Sequence, residues 1–584
     1  MKKGKLLFIF CLIVQQITWA QEKGASYKPP RLTVVVVIDQ FANHELQKFY
    51  SFFNGGIKYL YDKGVRYTNA FYPHGMPETG VGHTALGTGT LPQDHGIIGN
   101  LWNDEQGNVI FCDDDNAPNA LVFSSTGVYD YGKSAKNIMV DTLSDQLMMN
   151  ITPLLATNSI ALSIKSRAAI GMAGRKGKAI WFDADSGNFT SSKAYFEQLP
   201  AWVTSFNDDS KTSEITTFTW QSLYPENNAA YNFALSRDYQ FTAPKKTMVN
   251  VATPIDKKQK AAFDLFSKTP LANQLLLNLT ERCIDEHLAH TDRLVIWVSL
   301  SSLDLVGHIY GPYSLELIDM LYQVDQQLQK FIDHISTKVA PEDTLFALTA
   351  DHGVFPILEL IKQQGFDLAQ RTDVIKLMQQ FNDCFAQTEH PLVAECNNII
   401  KEKYGIEKII INFKMPQFYL DIKQLKKLDF NVQDEIINEL KKLLRKQASI
   451  REVWTFDELI TLPFPFNDVR NYLKSQLYSG RSGQLICLVH PYNYLDDYKS
   501  GTAHGTPYDY DTHVPLMMYQ KGILENKTIT QTVYMQQLPV TLAALLNTPR
   551  PSASTFDLLP GLDPNLFLIP QLSLTTTGTQ KNEL

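Results

Sequence analysis

The chain has 584 residues, of which 44% are hydrophobic and 20% are charged, and its formal net charge is -8. This length exceeds what one hydrophobic core usually supports, so we expect one large domain with insertions, or two domains. The acidic balance argues against nucleic acid as a specific partner, and an anionic substrate has to be attracted locally by metals and a few basic side chains.

Residues 1–20 have the pattern of a secretory signal peptide. Lys2, Lys3 and Lys5 precede a short apolar stretch, and Ala20 ends a small-residue cleavage site. An uncleaved membrane anchor is the alternative, but the apolar stretch is short for a bilayer. We therefore expect an exported protein, periplasmic or secreted, with no stable membrane anchor after cleavage.

The remaining cysteines do not form a recognisable scaffold. They are Cys112, Cys283, Cys384, Cys396 and Cys487. Their odd number and wide spacing argue against a disulfide framework, although a bridge between Cys384 and Cys396 is open. No CxxC pair occurs, so thiolate zinc is not supported.

The chain alternates strand-like and helix-like segments, which predicts a mostly parallel sheet flanked by helices. The predicted strands, in chain order, are Leu32–Ile38, Ser159–Ile164, Ala179–Phe182, Leu294–Ser299, Thr344–Thr349, Gln484–Val489 and Val514–Tyr519. A helix is predicted from about Leu315 to Ile335.

Two segments interrupt this alternation and are interpreted as insertions in a domain covering residues 21–570. Residues 186–290 are rich in Ser, Thr, Asn and aromatic residues, and they end in a helical pattern. Residues 358–480 contain two strand-like segments and an amphipathic helix that Asn431 could cap, which predicts a small α+β subdomain. Residues 571–584 have the composition of a flexible tail.

Aspartates follow three of the apolar strand-like runs. Asp39, Asp304 and Asp351 each come at the end of such a run, so we expect them along one edge of a sheet. His308 lies four residues after Asp304, which puts both on one face of a helix. His352 follows Asp351 directly, and His504 lies in a glycine-rich loop. A helix cap is the alternative for Asp39 and Asp351, but the whole set predicts a two-metal site, and its mixed nitrogen and oxygen ligands favour zinc over magnesium or calcium.

Thr79 offers a nucleophile in the segment PETGVGHTALGTG. It is surrounded by Gly75, Gly80 and Gly82, and His83 follows four residues later. Glycines allow a backbone to approach a phosphate closely, and a helix beginning there would direct N–H groups at the anion. An ordinary turn threonine is the alternative, but beside the metal pattern Thr79 is the favoured nucleophile.

Three further residues offer contacts to a phosphoryl group. Lys165 and Arg167 follow a predicted strand at positions i and i+2, so in extended backbone both would point to the same face. Two such cations suit the oxygens of a dianion, whereas a solvated strand edge is the alternative. Asn100 could donate to another phosphate oxygen or form a turn.

The segments VVVVIDQF, PETGVGHTALGTGTLPQDHGIIGN, SIKSR, DLVGHIYGP, TADHG and TAHGTPYDYDTHVP together resemble the alkaline phosphatase superfamily. The resemblance is closer to its nucleotide pyrophosphatase-related branch, which contains the PafA-type phosphate-irrepressible alkaline phosphatases. It runs from about residue 31 to 519 and implies an α/β fold with an alkaline-phosphatase-like core and an inserted α+β subdomain.

The resemblance also implies roles for the residues. Two Zn²⁺ per chain are expected, one held by Asp304, His308 and His504. The other is held by Asp39, Asp351 and His352, with Thr79 beside it as a further ligand. Asn100, Lys165 and Arg167 would bind the transferred phosphoryl group.

The implied activity is the hydrolysis of small phosphate monoesters through a phosphothreonine intermediate. Diesterase relatives generally lack the Lys-x-Arg pair, which favours monoesters. A phosphodiesterase or nucleotide pyrophosphatase is the alternative, and a non-catalytic metal-binding or surface-recognition protein is a remote one. A sulfatase is disfavoured because no Cys-x-Pro-x-Arg motif is present. The sequence does not predict the oligomeric state.

Overall fold

The computed structural model describes residues 27–149, 155–209, 218–225, 227–234, 260–363, 365, 369–371, 391–495 and 502–567. The predicted signal peptide and the predicted tail lie outside these residues, and so does Cys384. Its suggested partner, Cys396, forms no disulfide with another described residue, and neither do Cys112, Cys283 and Cys487.

The described strands fall into one large sheet and several small ones. In chain order they are β1 (Leu32–Ile38), β2 (Val65–Phe71), β3 (Leu101–Asn103), β4 (Val109–Phe111), β5 (Leu121–Ser124), β6 (Gly127–Gly132), β7 (Thr157–Ser163), β8 (Lys178–Asp183), β9 (Asn188–Thr190), β10 (Arg293–Leu300), β11 (Thr344–Thr349), β12 (Gln370–Arg371), β13 (Ile410–Lys414), β14 (Gln417–Leu420), β15 (Ile450–Thr455), β16 (Leu485–Val489), β17 (Asn493–Tyr494), β18 (His513–Tyr519), β19 (Lys527–Ile529) and β20 (Val533–Tyr534).

Helices surround the sheets. The described ones are α1 (Asn43–Phe49), α2 (Gly56–Lys63), α3 (Thr79–Thr88), α4 (Pro92–His95), α5 (Leu143–Met149), α6 (Ser166–Ala173), α7 (Ala201–Asp209), α8 (Lys260–Ser267), α9 (Pro270–Leu288), α10 (Ser302–Tyr310), α11 (Leu315–Lys338), α12 (Leu358–Gln363), α13 (Pro391–Tyr404), α14 (Ile422–Leu425), α15 (Phe430–Arg445), α16 (Phe456–Thr461), α17 (Val469–Ser475), α18 (Asp509–Thr512) and α19 (Gln537–Leu545).

The large sheet has the strand order β19-β2-β18-β11-β1-β10-β7-β8-β9, and β20 also pairs with β2. Its five central strands, β11 to β8, are parallel, whereas β18 and β9 join them antiparallel. All seven residues of β1 are buried, which is typical of a parallel strand covered on both faces. The predicted α/β class with a mostly parallel sheet is confirmed.

Strand β2 has no counterpart among the predicted strands. Its sequence, VRYTNAF, is only partly buried and carries an arginine and an asparagine. It pairs with β18, β19 and β20, all of which lie more than 400 residues further along the chain. The local sequence pattern therefore does not predict this strand.

The second insertion forms a subdomain around a four-stranded sheet with the order β13-β14-β16-β15. Its described pairs are antiparallel, and helices α13 and α15 share its apolar core. The strand predicted at Gln484–Val489 forms as β16, but it belongs to this sheet, so placing it with the strands of the large sheet was wrong. The predicted cap at Asn431 was also wrong, because α15 begins at Phe430 after Asp429.

The register of the large sheet brings four loops to one edge. Ile38 at the end of β1 pairs with Leu300, and Val37 pairs with Thr349. Ser163 at the end of β7 pairs with Ser299. The segments that follow β1, β7, β10 and β11 therefore leave the sheet at the same edge.

Candidate active site

The predicted metal ligands meet at the edge of the large sheet where the segments after β1, β7, β10 and β11 leave it. Asp39 follows β1 and Asp351 lies two residues after β11, and the next helices begin at Asn43 and Leu358, so neither aspartate caps a helix. Asp304 lies in the first turn of α10, not at the end of β10 as the sequence suggested, and His308 lies in its last turn.

Asp39, Asp351 and His352 form a fully buried group of candidate metal ligands. His352 Nε2 lies 3.4 Å from Asp39 Oδ1 and 3.3 Å from Asp351 Oδ2. Among the described residues, Asp39 Oδ1 and His352 Nε2 have no hydrogen-bond partner, while Asp351 Oδ2 lies 3.1 Å from His83 Nδ1. Atoms bound tetrahedrally to zinc at about 2.0 Å are roughly 3.3 Å apart. Three buried ligand atoms at this spacing therefore fit a metal ion such as zinc.

Asp304, His352 and His504 form an overlapping second group. His308 joins it from one side, with Nε2 at 3.1 Å from Asp304 Oδ1, and His504 Nε2 lies 3.5 Å from the same oxygen. The predicted set of Asp304, His308 and His504 is thus brought together. The ring of His352 stacks on that of His504 at 3.7 Å, so His352 lies between the two groups.

The three histidines are oriented in the same way. Nδ1 of His308, His352 and His504 lies 2.9 to 3.0 Å from a backbone carbonyl, which belongs to Thr502, Gly353 and Pro77 respectively. Nδ1 then carries the proton, and Nε2 is left as the ligand atom facing the carboxylates. Such outer contacts are typical of metal-binding histidines.

Electrostatics at this edge favour bound cations. Burial, reinforced by the negative charge of Asp351, raises the pKa of Asp39 to about 7. Burial alone would raise the pKa of Asp304 too, but His308 and Lys165 outweigh it and hold that pKa well below its ordinary value. Burial lowers the pKa of His352 to about 3, so the ring is neutral, as metal binding requires.

Thr79 is the first residue of helix α3, and it is buried beside the ligands. Its hydroxyl lies 3.3 Å from Lys165 Nζ. His83, one turn later, lies with Nδ1 at 2.9 Å from the Thr79 carbonyl and 3.1 Å from Asp351 Oδ2, while its Nε2 is 2.8 Å from Ser299 Oγ. His83 therefore ties the start of α3 to Asp351.

The glycines around Thr79 make room for protein atoms. A Cβ at Gly82 would lie 2.1 Å from the Asp351 carbonyl oxygen, and one at Gly80 would lie 2.8 Å from Cys112 Sγ. The role of these glycines in the approach of a phosphate stays a prediction. They let α3 pack against the Asp351 segment, which holds Thr79 close to the ligands.

Arg167 lies in a helix and only Lys165 has extended backbone, so the same-face argument from strand geometry was wrong. Lys165 precedes α6, and Arg167 lies in the first turn of that helix. Lys165 Nζ donates to Asp39 Oδ2 at 2.7 Å and to Asp304 Oδ2 at 2.5 Å. The solvated strand edge is excluded for Lys165, which is only 8% exposed. Arg167 Nε is buried and lacks a partner within the described chain.

Asn100 is anchored to the segment that precedes the nucleophile candidate. Its Oδ1 accepts the N–H of Gly80 at 2.8 Å, and its backbone N–H donates to Glu78 Oε2 at 2.5 Å. Because Oδ1 faces the protein, Nδ2 is the group of this amide that can donate to an anion.

Gln40 contacts both ligand groups, and the sequence interpretation gave it no role. Its backbone N–H donates to Asp351 Oδ1 at 3.1 Å, and its Nε2 donates to Asp304 Oδ1 at 2.7 Å. The signal that could have identified Gln40 is its position directly after Asp39 at the end of a buried strand.

Comparison with known proteins identifies the family. The model of the type I phosphodiesterase / nucleotide pyrophosphatase family matches residues 33–153 and 172–513, more than half of the chain. The chain belongs to this family.

The relatives of this family member include alkaline phosphatases that match along nearly the whole chain. Alkaline phosphatase PafA of Elizabethkingia meningoseptica is 29% identical over 559 residues, which cover 93% of this chain and 96% of that protein. Alkaline phosphatase PhoV of Synechococcus elongatus is 28% identical over 555 residues, covering 92% and 95%. The crystal structure of wild-type PafA matches with a TM-score of 0.79 and 26% identity, covering 92% of this chain and 99% of that one.

These matches confirm the predicted superfamily and the assignment to phosphatase hydrolases. The similarity to alkaline phosphatases implies metal dependence, and the family implies small phosphorylated substrates. Within the described part of the chain, no helix combines the length and apolar character needed to cross a bilayer.

Proposed function

We propose that this family member is an exported, zinc-dependent alkaline phosphatase that hydrolyses phosphate monoesters through a phosphothreonine intermediate. The observation that carries the proposal is the meeting of two buried ligand groups with the hydroxyl of Thr79 and the ammonium group of Lys165. Export rests on the pattern of residues 1–20, which precede the described residues.

The ligand groups would hold two zinc ions. Asp39, Asp351 and His352 would hold one beside Thr79, which would be a further ligand. Asp304, His308 and His504 would hold the other. When bound, the ions would lower the pKa of a hydroxyl and neutralise the charge that develops in the transition state.

The protein side chains would carry out the two transfer steps and bind the phosphoryl group. Thr79 Oγ attacks phosphorus, so that a Thr79–phosphorus bond forms while the bond to the ester oxygen breaks. Water then attacks the phosphothreonine, releasing phosphate and restoring the hydroxyl. Lys165, Arg167 and Asn100 bind the non-bridging oxygens, so catalysis is mainly positioning and electrostatics.

A phosphodiesterase or nucleotide pyrophosphatase is the second candidate, and the family description favours it. The presence of both Lys165 and Arg167 supports the monoesterase, because a monoester dianion carries one more negative charge and one more free oxygen than a diester. A non-catalytic binding protein would turn over neither.

The test is a comparison of the purified, zinc-supplemented protein on a matched aryl phosphate monoester, diester and sulfate ester. We expect the highest kcat/KM on the monoester. A higher kcat/KM on the diester would favour the second candidate, and no turnover of any ester would favour a non-catalytic binding protein.

A further inference from the structure

The inserted subdomain bonds directly to the two loops that carry Thr79 and Asn100. Gln476, the residue after helix α17, accepts the N–H of Met76 with Oε1 at 3.0 Å. Its Nε2 donates to the carbonyl of Ile98 at 2.6 Å. Met76 lies three residues before Thr79 and Ile98 lies two before Asn100, so one buried amide sets the distance between the two loops.

Arg481 contacts the loop that carries Asn100 on both sides of Asn100. Its Nη1 donates to the carbonyl of Gly96 at 2.6 Å and to that of Asn137 at 2.7 Å. The guanidinium also lies over the ring of Trp102, 4.8 Å from its centre. Gly96 and Trp102 flank Asn100 on either side, so Arg481 constrains the whole turn between them.

Two glycines in these loops allow the close contact with Leu473 and Arg481. A Cβ at Gly75 would lie 2.7 Å from the Leu473 Cα, and a Cβ at Gly96 would lie 2.8 Å from Arg481 Nη1. Gly96 also has a φ of 78°, which disfavours other residues. Glycine at positions 75 and 96 therefore allows the two loops to approach residues 473–481 closely.

The side chain of Gln476 is not needed to end its own helix. Its backbone N–H already bonds to the carbonyls of Leu473 and Lys474 at the end of α17. Leu473 and Leu477 on either side anchor the segment in an apolar cluster with strand β16. The segment is thus fixed to the small sheet. Gln476 is only 1% exposed, and its side-chain amide bonds to the loops that carry Thr79 and Asn100.

We propose that Gln476 and Arg481 are positioning residues through which the inserted subdomain holds Asn100 in register with Thr79. The inference rests on the proposed function, because it assigns these residues to the phosphoryl contact made by Asn100. An error of about 1 Å in such a contact can cost about a hundredfold in rate, so a fixed loop has a large effect.

The test is a double-mutant cycle between Gln476→Met and Asn100→Ala in the full-length, zinc-supplemented protein. Methionine keeps the volume of Gln476 but loses both hydrogen bonds. We expect Gln476→Met to lower kcat/KM for an aryl phosphate monoester about tenfold alone, but less than about twofold when Asn100 is already alanine. Inhibition by inorganic phosphate should weaken in parallel in the single variant.

Gln433→Met is the matched control. Gln433 lies in the same subdomain and also donates to a backbone carbonyl, that of Leu428 at 2.8 Å, but this contact stays within the subdomain. We expect its kcat/KM to equal that of the unchanged protein. Metal content and the unfolding temperature, measured for every variant, separate a positioning effect from a general loss of structure.

Equal losses from Gln476→Met in both backgrounds would overturn the inference, as would a loss that follows metal content. If Gln476→Met does not fold, Arg481→Lys takes its place in the cycle, since it keeps the charge but loses the two-carbonyl contact, and the same expectations decide. A normal rate for Asn100→Ala alone would instead overturn the proposed role of Asn100, and with it the inference.

Discussion

Gln40 and Asp304 are joined by a hydrogen bond of 2.7 Å from Nε2 to Oδ1, while the backbone N–H of Gln40 bonds to Asp351. One residue therefore sets the spacing of carboxylates from both ligand groups. Gln40 has a φ of 70°, which is unusual for a residue other than glycine. A Cβ at Gly307 would lie 1.8 Å from Gln40 Oε1, so any larger residue there would displace the Gln40 amide.

Replacing Gln40 by Asn should weaken metal binding while the fold persists. Asparagine tolerates a positive φ but is too short to reach Asp304, so only the side-chain contact is lost. We expect metal affinity to fall about tenfold or more, as for other outer contacts of metal ligands, measured by competition with a chelator. Gln47→Asn, on the exposed face of α1, should bind metal normally. Equal affinity in both variants would show that Gln40 does not position the ligands.

Removal of metal should abolish turnover. Asp39, Asp351 and His352 are buried together, and a bound cation would compensate their burial, so chelation should also lower the unfolding temperature. Elemental analysis of active protein should find two zinc ions per chain. One metal per chain, or full activity without metal, would contradict the proposed centre.

Substituting Lys165 and Arg167 together by alanine should weaken monoester hydrolysis far more than diester hydrolysis. Each charged hydrogen bond is worth about 1.5 to 3 kcal/mol, so losing two should cost on the order of a hundredfold or more in kcat/KM. Metal content has to be measured alongside, because Lys165 also contacts Asp39 and Asp304. Equal losses on both substrates would remove the main basis for preferring monoesters.

The pH dependence of stability should change with Glu45→Gln. Burial raises the pKa of Glu45 to about 8 from an ordinary 4.5, so across this window the unfolded chain ionises while the folded one stays protonated. The free energy of unfolding then falls as pH rises from about 4.5 to 8. Glutamine cannot ionise, so the variant should gain on the order of a few kcal/mol relative to the unchanged protein between pH 5 and pH 9.

Thermal unfolding at the two pH values measures this gain. Glu105→Gln, at an exposed position, is the control and should show no such trend. A constant difference between Glu45→Gln and the unchanged protein at both pH values would mean that Glu45 is ionised in the folded state.

The central strands and most of the site could be predicted because their signals are local. Strand β1 is a continuous apolar run, and Asp39 follows it directly. Asp304 and His308 share a face at helical spacing, and α3 begins at Thr79 as the glycine-rich segment predicts. The roles assigned to these residues stay predictions, although the fold brings all of them together.

The remaining features depend on contacts between distant parts of the chain. Gln40 and His83 contact ligands that are more than 200 residues away, and the described partners of β2 are all strands near the C-terminus. The prediction that Lys165 and Arg167 point to the same face of a strand was wrong, because β7 ends at Ser163 and α6 begins at Ser166. Strand β16 was assigned to the wrong sheet since an apolar run does not specify its pairing partner.

Thr79 is proposed to be the nucleophile of a metal-dependent phosphatase. The most direct test of this role is to stop the zinc-supplemented protein with acid during turnover of an aryl phosphate monoester and to locate covalent phosphate by peptide mass spectrometry. We predict phosphate on Thr79, and its absence, together with a loss of turnover by orders of magnitude at unchanged metal content, in Thr79→Ala. Near-normal turnover by Thr79→Ala, or phosphate on another residue, would show that Thr79 is not the nucleophile.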